Sequence, residues 1–179
     1  MATPTALPAS FTAGDVLTAA NMNLLRGGFR ILQVVSTTKT DTFTTNAATF
    51  TDVTGLSATI TPRESSSKVL VIAHITGSND YAVVVGGWRL VRDSTAICVG
   101  DTAGSRISGN QVEAINGSVL MTQANIVLDS PATTSAITYK VQVRSQTTGN
   151  FYINRSKTDT DNSSFFRGAS TITLLEVSA

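Results

Sequence analysis

The sequence has few of the residues from which catalytic and metal sites are usually built. Its 179 residues include one histidine and one cysteine. A zinc site of the usual histidine and cysteine ligands therefore cannot be assembled within one chain, and an internal disulfide is excluded. His74 lies on an apolar stretch, so we predict a packed residue there and not a catalytic one. For Cys98 we predict a small, buried hydrophobic side chain. No cofactor is expected.

Charge is scarce as well. Charged residues make up 14% of the chain and the formal net charge is +1, against roughly 25% charged residues in a typical soluble domain. Without a basic block, nucleic acid is not an expected partner. No apolar run approaches the ~20 residues of a membrane-spanning helix, so membrane insertion is not expected. The first ten residues lack the basic start and apolar core of a secretion signal. If the protein works outside a cell, we expect that it is made in the cytoplasm and leaves as part of an assembled particle released by lysis.

What the chain does have is hydrophobic residues, at 41%, arranged with a period of two after Gly28. This period is typical of β-strands. The predicted strands cover residues 31–35, 50–60, 68–76, 88–95, 119–128, 136–145, 151–154 and 171–177. About eight to ten antiparallel strands with turns every ten or so residues predict an all-β fold, a jelly-roll sandwich. We assign residues 29–179 to this domain. For residues 1–28 we predict an N-terminal arm with a short helix.

The segment at 68–76 is apolar on both faces. Alternation places Val69, Val71, Ala73 and Ile75 on one face, and Leu70 and Ile72, with His74, on the other. An antiparallel sheet normally has one face in water. Two apolar faces therefore predict that the second face of this strand is covered, for instance by another subunit.

The last predicted strand, 171–177, ends two residues before the last residue of the sequence. End segments fray unless they are tied down, so we expect this strand to occupy a central place in a sheet. The polar loop before it carries Phe165 and Phe166. Adjacent side chains of an extended chain point to opposite sides, so one of these two rings is expected to leave the core.

The same loop contains the best candidate for a metal site. Asp159, Asp161 and Asn162 alternate in KTDTDNS, and such oxygen ligands suit calcium. The loop lacks the glycine and the distal glutamate of an EF-hand. We therefore prefer a solvated loop in which Asp and Asn stabilise turns, and we predict no metal. No pair of glutamates stands in a context typical of a glycosidase. We expect that the protein is not an enzyme.

Several segments support a family resemblance. FTAGDVLTAANMNLL resembles the attachment segment near the start of many tail-fibre-type proteins of tailed bacteriophages. SKVLVIAHITGS, WRLVRDST, GDTAGSR, YINRSKTDTDNSS and STITLLEV are similar to a group of phage virion proteins, many of them from aquatic phages. More loosely, the domain resembles the jelly rolls of the C1q and tumour necrosis factor type. Those assemble as trimers, and their first and last strands are neighbours in an inner sheet that faces the threefold axis.

The resemblance implies a place for each strand and a role for two sets of residues. The strand at 31–35 would lie beside 171–177, and the latter beside 68–76. The implied trimer contacts are Leu70, Ile72, His74, Leu175 and Val177. The implied virion-attachment residues are Phe11, Val16, Leu17, Met22 and Leu25.

The implied function is that of a structural virion protein: a homotrimer anchored by its arm as a tail appendage, whether fibre, adhesion protein or adaptor. One alternative is a capsid decoration, or cement, protein at local threefold sites, because no coiled-coil or repetitive shaft separates arm from domain. A remote alternative is a carbohydrate-active enzyme. Expected partners are other virion proteins of the tail or capsid, and a host surface glycan.

Overall fold

The computed structural model describes Val16 and residues 30–80, 86–112, 119–146 and 149–178. The described residues form eleven β-strands in two antiparallel sheets. In chain order the strands are β1 (Ile31–Lys39), β2 (Phe43–Thr45), β3 (Thr51–Ile60), β4 (Lys68–Asn79), β5 (Gly86–Arg92), β6 (Thr95–Ile97), β7 (Asn110–Val112), β8 (Met121–Asp129), β9 (Ile137–Arg144), β10 (Phe151–Ile153) and β11 (Ser170–Val177). The three-residue strands β2, β6 and β7 were not predicted.

The first sheet is organised around β4. One edge of β4 pairs with β8, and the other edge pairs first with β11 and then with β10. Strand β1 lies beyond β11, and β2 lies beyond β10. The second sheet has the order β3-β9-β5-β6, with β7 also paired to β5. The all-β jelly-roll prediction is confirmed. So is the predicted order in which β1 lies beside β11 and β11 beside β4.

The core lies between the two sheets and is built from alternating residues. On β4 the inner side chains are Val69, Val71, Ala73 and Ile75, and all four are buried. The second sheet supplies buried Trp88, Leu90, Tyr139, Val141 and Val143, on the faces that the alternation predicts. Because side chains on a strand alternate between the two faces, each strand leaves its other set of side chains on the outside of the sandwich.

The structure corrects the prediction for Cys98. Its side chain is exposed, and its backbone has a φ of 53°. The residue directly follows the short strand β6, which is the last strand on its side of the second sheet. A turn at a sheet edge has no second layer over it, so the thiol is not covered. His74 lies on β4 of the first sheet. Cys98 and His74 therefore belong to different layers of the sandwich.

The predicted N-terminal arm and helix lie outside the described residues, apart from Val16. The division at residue 28 therefore stays a prediction. Within the part of the chain that the structure describes, no helix has the length and apolar character needed to cross a membrane.

Candidate functional site

The outer face of the first sheet carries a contiguous group of apolar side chains. Its central row crosses four neighbouring strands, because Val34 on β1 pairs with Leu175 on β11, Leu175 with Leu70 on β4, and Leu70 with Leu128 on β8. The apolar patch, as we use the term below, consists of Ile31, Val34, Leu70, Ile72, Ile126, Leu128, Leu175 and Val177.

The rows beside the central row show where the patch ends. The next row is mixed, with Ser36 and Thr173 on one side and Ile72 and Ile126 on the other. The Ser36 and Thr173 hydroxyl groups are hydrogen-bonded at 2.8 Å. The row after it is Thr38, Thr171, His74 and Ala124. On the other side of the central row, Ile31 and Val177 stand beside Lys68. The face is therefore mainly apolar between Lys68 and Ile72 and becomes polar past Ile72, with His74 at the transition.

Exposure shows that this patch is not part of the core. Ile31 is 60% exposed, Val34 57%, Ile126 65% and Leu128 51%. The patch members on β4 and β11 are half-buried by their neighbours in the same sheet. Scattered exposed hydrophobic residues are normal in soluble proteins, whereas a contiguous group that spans four strands is typical of an interaction surface.

The outer face of the second sheet has the opposite character. Asp52, Gln142 and Arg89 form a polar row across β3, β9 and β5. Gln142 Nε2 donates to Asp52 Oδ1 at 2.6 Å, and Arg89 Nε and Nη2 donate to Gln142 Oε1 at 2.9 and 2.8 Å. Lys140 adds an ion pair to Asp52 at 2.7 Å. Burial raises the pKa of Asp52, but the hydrogen bonds from Lys140 and Gln142 outweigh it, so the pKa lies below its ordinary value. The polar groups of this row therefore bond to one another.

The five predicted trimer-contact residues share one face. Leu70, Ile72 and His74 lie on β4 and Leu175 and Val177 on β11, all on the outer side of the first sheet and all half-buried. Sequence reasoning missed four members of the patch: Ile31, Val34, Ile126 and Leu128. The alternation of Ala124, Ile126 and Leu128 along β8 is the signal that points to the last two.

Of the predicted virion-attachment residues, the structure describes only Val16, which is 79% exposed. Phe11, Leu17, Met22 and Leu25 lie outside the described residues. Their role stays a prediction.

The polar loop before β11 uses its acidic residues for internal contacts. Asp159 Oδ2 accepts from Arg155 Nη1 at 3.0 Å and from Arg167 Nη2 at 2.7 Å. Asn162 Oδ1 accepts from the backbone N–H of Ser164 at 2.9 Å, which closes a turn. Asp161 is exposed. The described residues contain no group of three or more His, Cys, Asp or Glu that could hold a metal ion. Phe166 is 74% exposed and Phe165 half-buried, as expected for adjacent rings.

No family model matches the sequence, and no curated protein matches it. Among solved structures, the chain is similar to a chain in the structure of the Gx strain of infectious bursal disease virus, with a TM-score of 0.36 and 11% sequence identity. The likeness covers 83% of this chain and 38% of the other. At that TM-score the likeness by itself defines neither fold nor function.

Proposed function

We propose that the protein is a non-enzymatic structural component of a tailed-phage virion. Three jelly-roll domains join through the apolar patch, and residues 1–28 attach the trimer to the particle as a tail appendage. The observation that carries the assembly is the apolar patch on one outer face of a sandwich whose other outer face is polar. The virion role rests on the sequence resemblance of the arm and of the loop and strand at 152–177.

The physical reason is burial of apolar surface. Removing apolar surface from water is worth roughly 25 cal/mol per Å² before the costs of association are subtracted. Obligate subunit interfaces bury about 2,000 Å² or more in total. A monomer would have to leave the half-exposed side chains of Ile126, Leu128 and Val34 in water. Packing the same face of three copies around an axis removes them from water, with His74 at the margin of the contact.

The oligomeric state tests the proposal. We expect light scattering to give three times the 18.7 kDa mass of one chain. Ile126→Lys and Leu128→Lys should each give a folded monomer. Both side chains are more than half exposed, so a lysine is tolerated in the monomer but places an unpaired charge in the interface.

Thr59→Lys is the matched control. Thr59 is exposed on the outer face of the second sheet, so this variant adds the same charge and should remain trimeric. Circular dichroism checks that every variant is folded. A wild-type protein that stays monomeric at all concentrations would contradict the proposal, and so would trimers that survive both patch substitutions.

The alternative, a cement protein at local threefold sites of the capsid, is supported by the absence of any repetitive sequence between Gly28 and Ile31 that could form a shaft. Electron microscopy of virions labelled with antibody against the protein separates the two roles. Label on the tail supports the appendage, and label spread over the head supports cement.

A further inference from the structure

A cleft of about 430 Å³ lies on the outer side of the second sheet. Its lining comes from Phe50, which precedes β3, from the start of β5, from β7, which pairs with β5, and from the end of β9. The side chains that matter for its chemistry are Phe50, Arg106, Ile107, Asn110, Gln111 and Arg144. Because the cleft and the apolar patch lie on opposite layers of the sandwich, covering the patch leaves the cleft open.

The cleft is positively charged. Arg106 and Arg144 both line it, and no Asp or Glu is among the described residues that do so. Arg92, in contrast, pairs with Asp129 at 2.7 Å. In the cleft, Arg144 Nε is buried without a hydrogen-bond partner. The hydrogen bond from Arg106 Nη1 to the backbone oxygen of Ala103 is 3.5 Å long. A guanidinium group that lines an open cleft, with no carboxylate among the described lining residues, can bind a ligand oxyanion.

The walls of the cleft combine apolar and amide groups. The Arg89 guanidinium stacks on the Phe50 ring, 4.0 Å from its centre, and holds the ring in place. Ile107 is 56% exposed and extends the apolar wall. Gly87 lies directly opposite Arg144 in the β5–β9 pair. A Cβ at Gly87 would lie 2.9 Å from the backbone oxygen of Asn110, so glycine allows the close approach of β7. An apolar ring, amides and guanidinium groups suit a ligand with a flat apolar face, hydroxyl groups and a carboxylate.

We propose that this cleft binds an acidic sugar unit. Its carboxylate is held by Arg144 and Arg106, since a guanidinium group can donate two parallel hydrogen bonds to a carboxylate. The sugar ring packs against Phe50 and Ile107, and its hydroxyl groups reach Asn110 and Gln111. This binding site is additional to the assembly role and does not depend on it.

Three probes test the proposal by nuclear magnetic resonance titration of the full-length protein: glucuronate, glucose and inorganic phosphate. We expect glucuronate to shift the resonances of the Phe50 ring and to bind at least tenfold more tightly than either other probe. Arg144→Gln and Arg106→Gln should each weaken glucuronate binding by about tenfold or more, the usual cost of losing a hydrogen bond to a charged group. Arg30→Gln is the matched control, because Arg30 is exposed at the start of β1, and it should bind as the wild type does.

Each other outcome overturns the proposal in a defined way. Equal affinity for glucose and glucuronate would show that the arginines hold no carboxylate. Phosphate that binds as tightly as glucuronate would identify a simple anion site with no role for the sugar ring. No shift with any probe would show that the cleft is not a binding site. The light-scattering experiment does not depend on these titrations, so failure here leaves the assembly proposal standing.

Discussion

At the scale of single residues, Glu176 shows how a charge is kept inside this sandwich. It lies on the inner side of β11 and is fully buried. Its carboxylate accepts from Gln33 Nε2 at 2.6 Å and from the backbone N–H of Arg63 at 2.7 Å. Burial raises its pKa, but the hydrogen bonds from Gln33, Ser67 and Arg63 outweigh burial, so its pKa lies below the ordinary 4.5. One carboxylate thus connects β1, β11 and the turn between β3 and β4.

Glu176→Gln should lower the free energy of unfolding at pH 7 by about 1–3 kcal/mol, because charge-assisted hydrogen bonds are replaced by weaker ones. A lowered pKa means that the carboxylate takes up its proton at a lower pH in the folded protein than in the unfolded chain. The contribution of Glu176 is therefore complete above pH 4.5 and is lost as the pH falls through the lowered folded value. The free energy of unfolding, measured with urea, should change less between pH 7 and pH 3 for the variant than for the wild type.

Thr173→Ala is a control for this experiment. Thr173 lies on the outer side of the same strand and carries no charge, so the pH dependence should stay that of the wild type. If Glu176→Gln and the wild type lose equal stability between pH 7 and pH 3, the carboxylate does not stabilise the fold in the way described.

At the scale of elements, β11 is the strand that closes the first sheet. It pairs with β1 along one edge and β4 along the other. Its inner side chains Ile172 and Leu174 are fully buried, while Leu175 and Val177 belong to the apolar patch. Without β11, β1 has no partner among the described strands of its sheet, and β4 loses most of one edge. The prediction that the last strand takes a central place is confirmed.

A chain that ends at Gly168 should therefore fail to fold. It lacks the backbone hydrogen bonds of β11 to β1 and to β4, and the core side chains of Ile172 and Leu174. The stabilisation lost with them exceeds the 5–15 kcal/mol by which a domain is usually stable. We expect circular dichroism to show no cooperative thermal transition. Removal of Ala179 alone is the control and should leave the transition intact. Cooperative melting of the truncated chain would show that β11 is dispensable.

At the scale of the whole molecule, the two layers of the sandwich divide the work that we propose. The outer face of the first sheet is apolar and suits assembly with other copies. The outer face of the second sheet is polar, has a hydrogen-bonded row of Asp52, Gln142 and Arg89, and carries the cationic cleft. A trimer built on the first face would present the second face, with its clefts, to the surroundings. In our proposal, residues 1–28 attach the protein to a particle.

Deletion of residues 1–28 should separate folding from attachment. The pairing of β1 begins at Ile31, so the remaining chain keeps every described strand. We expect an unchanged thermal transition and an unchanged number of subunits by light scattering, but loss of the protein from purified virions. The full-length protein supplied in the same way is the control. If the shortened chain unfolds, the arm belongs to the core of the domain. If it enters virions normally, the attachment role is wrong.

The alternation along each strand could be read without the structure, because the two faces of a strand follow from local geometry alone. It correctly separated Val71 from Leu70 on β4 and Tyr139 from Lys140 on β9. The exposure of Cys98 and the arginine-lined cleft could not be read in this way. The cleft is lined by residues that are far apart in the chain, from Phe50 to Arg144, and that meet only after the sheets form. Neither the exposure of Cys98 nor the place of the cleft leaves a periodic pattern in the sequence.

The amino-acid order thus determines that this chain forms strands and which side chains share a face. It does not determine which faces become neighbours. That depends on pairings such as Val34 with Leu175, which join residues far apart in the chain and set the register across four strands. A shift of one residue in any pairing would turn a strand's apolar side chains to the opposite face. Register alone gathers separate hydrophobic residues into one patch.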